Sequence, residues 1–173
     1  YGDNENNFSI VGNQQNSPDT SLREQIINAV DAFLMRIALE NGINPTGENA
    51  PQSIQEALVK FFNIYDGRLY NITANERKKL AENIMLIASG SKNAPNYTMI
   101  DKGEGQSPDR MPDTLLSLSK SNKLKIQFVQ GKFNMGRTGA FNYCGKYGMQ
   151  LVISKRCPTI VSDEDGERSN EWG

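Results

Sequence analysis

Residues 97–105 read YTMIDKGEG and residues 131–139 read GKFNMGRTG, and these two stretches decide the expected fold. The alternation of apolar side chains before Asp101 predicts a short strand with a carboxylate at its C-terminal tip. Both stretches contain glycines, which tolerate positive φ and have no Cβ to block an approaching ligand. Successive backbone N–H groups in such turns can bind an anion. Each stretch alone is more often a plain turn, but together with a polar helix upstream they predict a site for a nucleotide polyphosphate.

The upstream helix carries polar side chains at regular spacing. It is predicted to begin at residues 20–21, where S-x-x-E matches a capping box, and to end near residues 41–42. Glu24, Asn28 and Asp31 follow one another at i, i+4 and i+7, so they occupy an arc of about 60° on an otherwise apolar helix. The alternative is that Glu24 only caps the helix, Asn28 is a tolerated polar residue and Asp31 is solvated.

Other segments show the periodicity of regular secondary structure. Helical spacing after capping boxes predicts two further helices, one from Ser53 through Tyr65 and one from Thr73 to Ser89-Gly90. Short apolar runs predict strands, which are residues 8–11, residues 149–154 and the beginning of a strand at residues 171–173. The charged run at residues 162–171 is interpreted as a solvated hairpin tip.

Composition excludes several classes of function. The chain has 173 residues, a formal net charge of −1 and no histidine, so no Ser-His-Asp or Cys-His mechanism can operate within it. Cys144 and Cys157 lack the spacing of a zinc site and are expected to be free, partly buried thiols in a reducing compartment. No apolar run reaches the length of a membrane span and no secretory signal opens the chain, so a cytoplasmic protein is expected. The net charge argues against a duplex nucleic-acid surface but leaves a local basic patch open.

Three motifs, in this order, resemble one family. They are Glu24-x-x-x-Asn28-Ala29-x-Asp31-Ala32, Asp101-x-Gly103-x-Gly105 and the glycines of residues 131–139. They follow the N, G1 and G2 boxes of the GHKL ATPases, a superfamily that includes DNA gyrase B, the ninety-kilodalton heat-shock chaperone, sensor histidine kinases and MutL. The stretch PDRMPDTLLSLSKSNK together with GKFNMGRTG also resembles a bacterial branch of this superfamily.

The resemblance implies a fold. It would be the Bergerat ATP-binding fold, an α/β (α+β two-layer) sandwich with helices over one face of a mixed, mainly antiparallel sheet. Residues 1–173 would form a single ATP-binding domain within a longer protein, with the last strands of the sheet beyond the present C-terminus. Residues 43–96 would be a helical insertion between the N box and the G1 box.

The resemblance also implies a role for each motif residue. Glu24 would be the general base for the attacking water, and Asn28 would bind Mg²⁺ through its amide oxygen. Asp101 would accept a hydrogen bond from the adenine amino group, while Lys123 or Lys120 would add positive charge near the phosphates. The other residues implied to contact the nucleotide are Asp31, Gly103, Gly105, Gly131, Lys132, Phe133, Asn134, Met135, Gly136, Thr138 and Gly139.

The implied function is ATP binding and Mg²⁺-dependent ATP hydrolysis. Hydrolysis would drive a conformational switch through an ATP lid, the segment SLSKSNK at residues 117–123, with an ATP-dependent homodimer and other domains of the same protein as expected partners. The Asn-Ala-x-Asp-Ala form is more similar to the gyrase, chaperone and MutL side of the superfamily. Two alternatives stay open: the catalytic domain of a sensor histidine kinase, and a nucleotide-binding interaction module without turnover.

Overall fold

The computed structural model describes residues 17–114, 123–131, 143–145 and 147–173. Within these ranges the chain is mixed α+β, with helices and a two-stranded antiparallel sheet. The elements are α1 (Pro18–Glu40), α2 (Ile54–Phe62), α3 (Ala74–Ala81), β1 (Ile84–Ser91), β2 (Ala94–Asp101) and α4 (Met111–Thr114). A fold that combines helices and strands is therefore confirmed, and the Bergerat arrangement stays a prediction. The strand predicted at residues 8–11 lies outside the described residues.

The chain divides into two compact units. The first unit contains residues 1–28, 105–124 and 131–173, and the second unit contains residues 29–104 and 125–130. Helix α1 contributes to both, because the division falls between Asn28 and Ala29.

Helix α1 begins earlier than predicted and ends where predicted. The carbonyl of Ser17 accepts the N–H of Ser21 at 3.3 Å, and Pro18, which has no N–H to satisfy, opens the helix. Ser21 is therefore buried inside the first turns, and the predicted capping box at this residue is wrong. At the other end Gly42 adopts a φ of +69°, and the N–H of Ile43 reaches back to the carbonyl of Ala38 at 2.9 Å. This is the glycine-terminated helix end that the Asn41-Gly42 pair predicts.

The caps of the next two helices are confirmed, but their lengths are not. The N–H of Glu56 donates to the Ser53 hydroxyl at 3.1 Å, and Thr73 and Glu76 form a reciprocal capping box. Helix α2 stops at Phe62, so Tyr65 lies beyond it and is exposed. Helix α3 stops at Ala81, and the residues predicted to continue it form β1 instead. The segment predicted as a helical insertion thus contains a strand as well as helices.

Strands β1 and β2 form an antiparallel hairpin in which Ile84 pairs with Asp101 and Ser91 pairs with Ala94. The run IMLIAS fits helical spacing as well as strand spacing, and pairing with β2 selects the strand because it satisfies the backbone N–H and C=O groups of both segments. Asp101 is the last residue of β2, which confirms the predicted strand with a carboxylate at its end.

The apolar core belongs to the second unit. Its buried residues are Leu34, Met35, Ala38, Ala50, Ala57, Ile126, Phe128 and Val129. The Phe33 and Phe62 rings stack with their centroids 5.6 Å apart, and Phe61 meets Phe128 edge-on at 6.4 Å. The two phenylalanines at the end of α2 therefore pack against the core. Helix α1 and the segment before Gly131 are thereby packed into one hydrophobic cluster.

In the first unit, every buried residue that the structure describes is polar: Ser21, Ser107, Arg156, Asp165 and Ser169. The fully buried Asp165 carboxylate lies 3.1 Å from Arg156 Nε and accepts the Ser162 N–H at 2.9 Å. The main-chain carbonyl of Asp165 accepts the Ser107 hydroxyl at 2.5 Å. The prediction that residues 162–171 are only a solvated tip is therefore wrong, because ion pairing and hydrogen bonding bury Asp165 within them.

The strand predicted at residues 149–154 is not formed. Leu151 and Ile153 are exposed, and the nearby pairing is a single antiparallel bridge between Lys155 and Trp172. Residues 149–153 pair with no other strand in the part of the chain that the structure describes, whereas Ser154 exchanges main-chain hydrogen bonds with Gly173 at 3.0 and 2.8 Å. An apolar β-branched run becomes a strand only when a partner takes up its backbone hydrogen bonds.

Both cysteines are free and half-buried, as predicted, and burial raises the pKa of the Cys144 thiol.

Candidate functional site

Asp101 presents an exposed carboxylate at the end of β2. Its main chain is fixed by pairing with Ile84, and the next N–H, of Lys102, donates to the Asn83 carbonyl at 2.8 Å. Carboxylate oxygen Oδ1 accepts the Gly103 N–H at 2.9 Å, whereas Oδ2 has no hydrogen-bond partner among the described residues. One oxygen is therefore held by the protein while the other is available to an external donor.

The turn that follows Asp101 lies directly against α1. The Glu104 N–H donates to the Ala32 carbonyl at 3.0 Å. A Cβ added at Gly103 would lie 2.5 Å from the Ala32 Cβ and 2.6 Å from Asp101 Oδ1, far inside van der Waals contact. Gly103 is thus required for close packing of this turn against the helix. Its contact with a nucleotide stays a prediction.

Asp31, the residue before Ala32, contacts the segment that leads into the second glycine-bearing stretch. Its side chain is 0% exposed, and its two carboxylate oxygens lie 2.9 and 3.1 Å from the Gln130 nitrogen, whose N–H they accept. Gln130 immediately precedes Gly131. The alternative in which Asp31 is a solvated residue is therefore wrong, because a carboxylate without solvent requires hydrogen bonds of this kind.

Two consecutive residues of α1 therefore hold two segments of the second unit: Asp31 holds Gln130, and Ala32 holds the turn at residues 103–104. Sequence reasoning did not single out Gln130. The available signal was the pair Ile126 and Phe128, whose alternation is typical of a half-buried extended segment and whose side chains are both buried.

Glu24 and Asn28 belong to the first unit and lie one helical turn apart on α1. Both are half-buried, and neither side chain is hydrogen-bonded or ion-paired within the ranges that the structure describes. Those ranges contain no cluster of three or more His, Cys, Asp or Glu residues able to hold a metal ion. A Mg²⁺ ion that accompanies a nucleotide usually keeps several waters and is bound through one or two carboxylates and the substrate phosphates. Asn28 offers a neutral amide oxygen, and its role as a Mg²⁺ ligand stays a prediction.

The remaining predicted contacts fall into two groups. Gly105, in the first unit, has a φ of +64°, and a Cβ there would overlap the Lys155 carbonyl, so it too is required by packing. Lys123 and Gly131 are described and half-buried. The others lie outside the described residues and stay predictions: Lys120, Lys132, Phe133, Asn134, Met135, Gly136, Thr138 and Gly139.

Comparisons with protein-family models, with curated protein sequences and with solved structures found no match for this chain. Among the described residues, no helix combines the length and the apolar character that a membrane crossing requires. The fold and site geometry therefore define a mixed α+β protein in which an exposed strand-end carboxylate stands on a turn packed against a helix.

Proposed function

We propose that this protein binds an adenine nucleotide with Mg²⁺ and hydrolyses ATP. The observation that carries the proposal is the Asp101 carboxylate, with one oxygen held by the Gly103 N–H and the other available. An exocyclic amino group is a donor that suits an available carboxylate oxygen. Guanine has a carbonyl oxygen at the corresponding position, so the same carboxylate would repel it. The order of the three motifs along the sequence supports the assignment to a GHKL-type ATPase.

The proposed chemistry uses α1. Asn28 would contribute its amide oxygen to Mg²⁺, which supplies charge neutralisation at the phosphates when it is bound. Glu24 would orient a water molecule and accept its proton as the water oxygen bonds to the γ-phosphorus and the bond from that phosphorus to the bridging oxygen breaks, which releases ADP and inorganic phosphate. A carboxylate is the natural base here because the sequence has no histidine.

Binding is tested by thermal unfolding and calorimetric titration with ATP, ADP and GTP. A bound nucleotide must raise apparent stability, by about 2.7 kcal/mol at a hundredfold excess over Kd. Asp101→Asn should weaken ADP binding about 10- to 100-fold, since a hydrogen bond to a charged group contributes about 1.5–3 kcal/mol. The matched control is Asp66→Asn, an exposed turn aspartate with φ of +54°, a conformation that asparagine also tolerates. Absence of any stabilisation of the wild type by ADP or ATP would refute the proposed function.

Hydrolysis is tested separately from binding. Glu24→Gln should reduce Mg²⁺-dependent turnover about 10²- to 10⁴-fold while the Kd for ATP stays near the wild-type value. If the wild type binds ATP and shows no turnover, the catalytic role of Glu24 is wrong and a nucleotide-binding module is the better description. If instead the γ-phosphate is transferred to a histidine of the full-length protein, the kinase alternative is correct.

A further inference from the structure

The side chain of Asp31 is committed to the protein interior. It is 0% exposed, and both carboxylate oxygens accept the same main-chain N–H, that of Gln130, across 99 positions of sequence. An ionised carboxylate removed from water is tolerated only when donors compensate for its lost hydration. Its two oxygens therefore bond a main-chain N–H of the protein in a site closed to solvent.

The next residue on the same helix, Ala32, holds the turn at residues 101–104, which we call the acidic turn. The carbonyl of Ala32 accepts the Glu104 N–H at 3.0 Å, and the absence of a Cβ at Gly103 lets this turn lie against the Ala32 methyl. Asp101, which stands at the start of the turn, is thus held relative to Ala32, while Gln130 is held relative to Asp31. Because Asp31 and Ala32 share one rigid helical turn, the two segments have a fixed separation within the second unit.

We infer that Asp31 is a positioning residue: it fixes the main chain at Gln130, directly before Gly131, relative to the adenine-selecting carboxylate of Asp101. This inference rests on the proposed function and replaces the predicted role of Asp31 as a direct nucleotide contact. Its consequence is selective. Loss of the Asp31 carboxylate should affect recognition of the phosphates, to which the sequence motif assigns Gly131, and should spare recognition of the base at Asp101.

The first test needs no ligand. In Asp31→Asn, native-state hydrogen exchange at the Gln130 amide should become about tenfold faster or more, because a neutral amide is a weaker acceptor than a carboxylate. Exchange at the Leu34 amide, in the core part of α1, should follow global stability alone. Asp19→Asn, on the same helix but with a side chain 70% exposed, is the matched control and should leave Gln130 unchanged. Unchanged protection of Gln130 in Asp31→Asn would overturn the inference.

The second test compares adenosine with ADP. Asp31→Asn and Asp31→Ala should weaken ADP binding about tenfold or more while adenosine binding stays within about twofold of the wild type. Equal loss of both affinities would indicate a merely structural role for Asp31. If neither affinity fell, the Asp31 carboxylate would not position the main chain at Gln130 for nucleotide binding. If the wild type binds neither adenosine nor ADP, the proposed function itself is refuted. If the wild type binds both ligands and the Asp31 variants bind them with the same affinities, only the inference is refuted.

Discussion

Gly103→Ala tests the packing of the acidic turn on α1. The added methyl carbon would lie 2.5 Å from the Ala32 Cβ and 2.6 Å from Asp101 Oδ1, where ordinary contact requires about 3.5–4.0 Å. The turn must therefore move by about 1 Å. Such overpacking costs about 1–3 kcal/mol, and loss of the Glu104 to Ala32 hydrogen bond adds about 1 kcal/mol. The free energy of unfolding should fall by about 2–4 kcal/mol, equivalent to a Tm lower by about 4–16 °C.

The assay is urea unfolding of four proteins: wild type, Gly103→Ala, Ala32→Gly and the double variant. Ala32→Gly alone should cost about 1 kcal/mol of helix propensity, but it removes the atom that the new methyl meets first. The double variant should therefore be about 1 kcal/mol more stable than additivity predicts. Gly47→Ala is the control, since its φ is not positive and its new Cβ would lie 3.3 Å from the nearest atoms of Asn44, a contact that needs a shift of only a few tenths of an ångström. Two results would refute this packing: a Gly103→Ala variant as stable as the wild type, or a double variant whose loss of unfolding free energy equals the sum of the two single-variant losses.

Three further predictions concern stability. Phe128→Ala should lower the free energy of unfolding by about 3–5 kcal/mol in urea, because Phe128 is fully buried, whereas Phe128→Leu should recover most of the loss. Thr73→Ala should cost about 1 kcal/mol by removing the cap of α3, and Thr73→Ser should be nearly neutral; equal losses would contradict the capping role. Burial raises the pKa of Asp165, but the Ser162 N–H and the Arg156 guanidinium outweigh it and hold the pKa below its ordinary value of 3.8. Since the folded-state pKa is the lower one, this carboxylate stabilises the protein above about pH 4 and loses that contribution as the pH falls toward its folded-state pKa. Asp165→Asn should cost about 3 kcal/mol at pH 7, by removing the carboxylate that lies 3.1 Å from the buried Arg156 guanidinium, and should flatten the loss of stability between pH 5 and pH 3; an unchanged pH dependence would contradict the assignment.

Local features were predictable because their causes lie within a few residues. The caps at Ser53 and Thr73 and the helix end at Gly42 are confirmed, since each depends on side-chain or backbone geometry inside a single turn. The placement of Asp101 at the end of a strand is also confirmed. Of these features, the helix end at Gly42 and the strand end at Asp101 belong to the two elements that carry the candidate site, α1 and β2.

Other predictions were wrong where a distant partner decides the outcome. Residues 84–91 fit a helical period, and only pairing with β2 makes them a strand. Residues 149–154 have the composition of a strand, but among the described residues only Ser154 is paired, through main-chain hydrogen bonds with Gly173. Asp165 lies in a charged run that is expected to be solvated, yet Arg156 and Ser162 bury it. Periodicity and composition cannot report which segment of the chain becomes the partner.

The sequence by itself determined which residue types this protein has available for chemistry: carboxylates and an amide at helical spacing on α1, an aspartate at a strand end and no histidine. Only the tertiary structure decided how two of those acidic groups are used. Asp31 is turned to the Gln130 main chain and Asp101 keeps one oxygen available, because burial and hydrogen bonding depend on contacts between residues far apart in the chain.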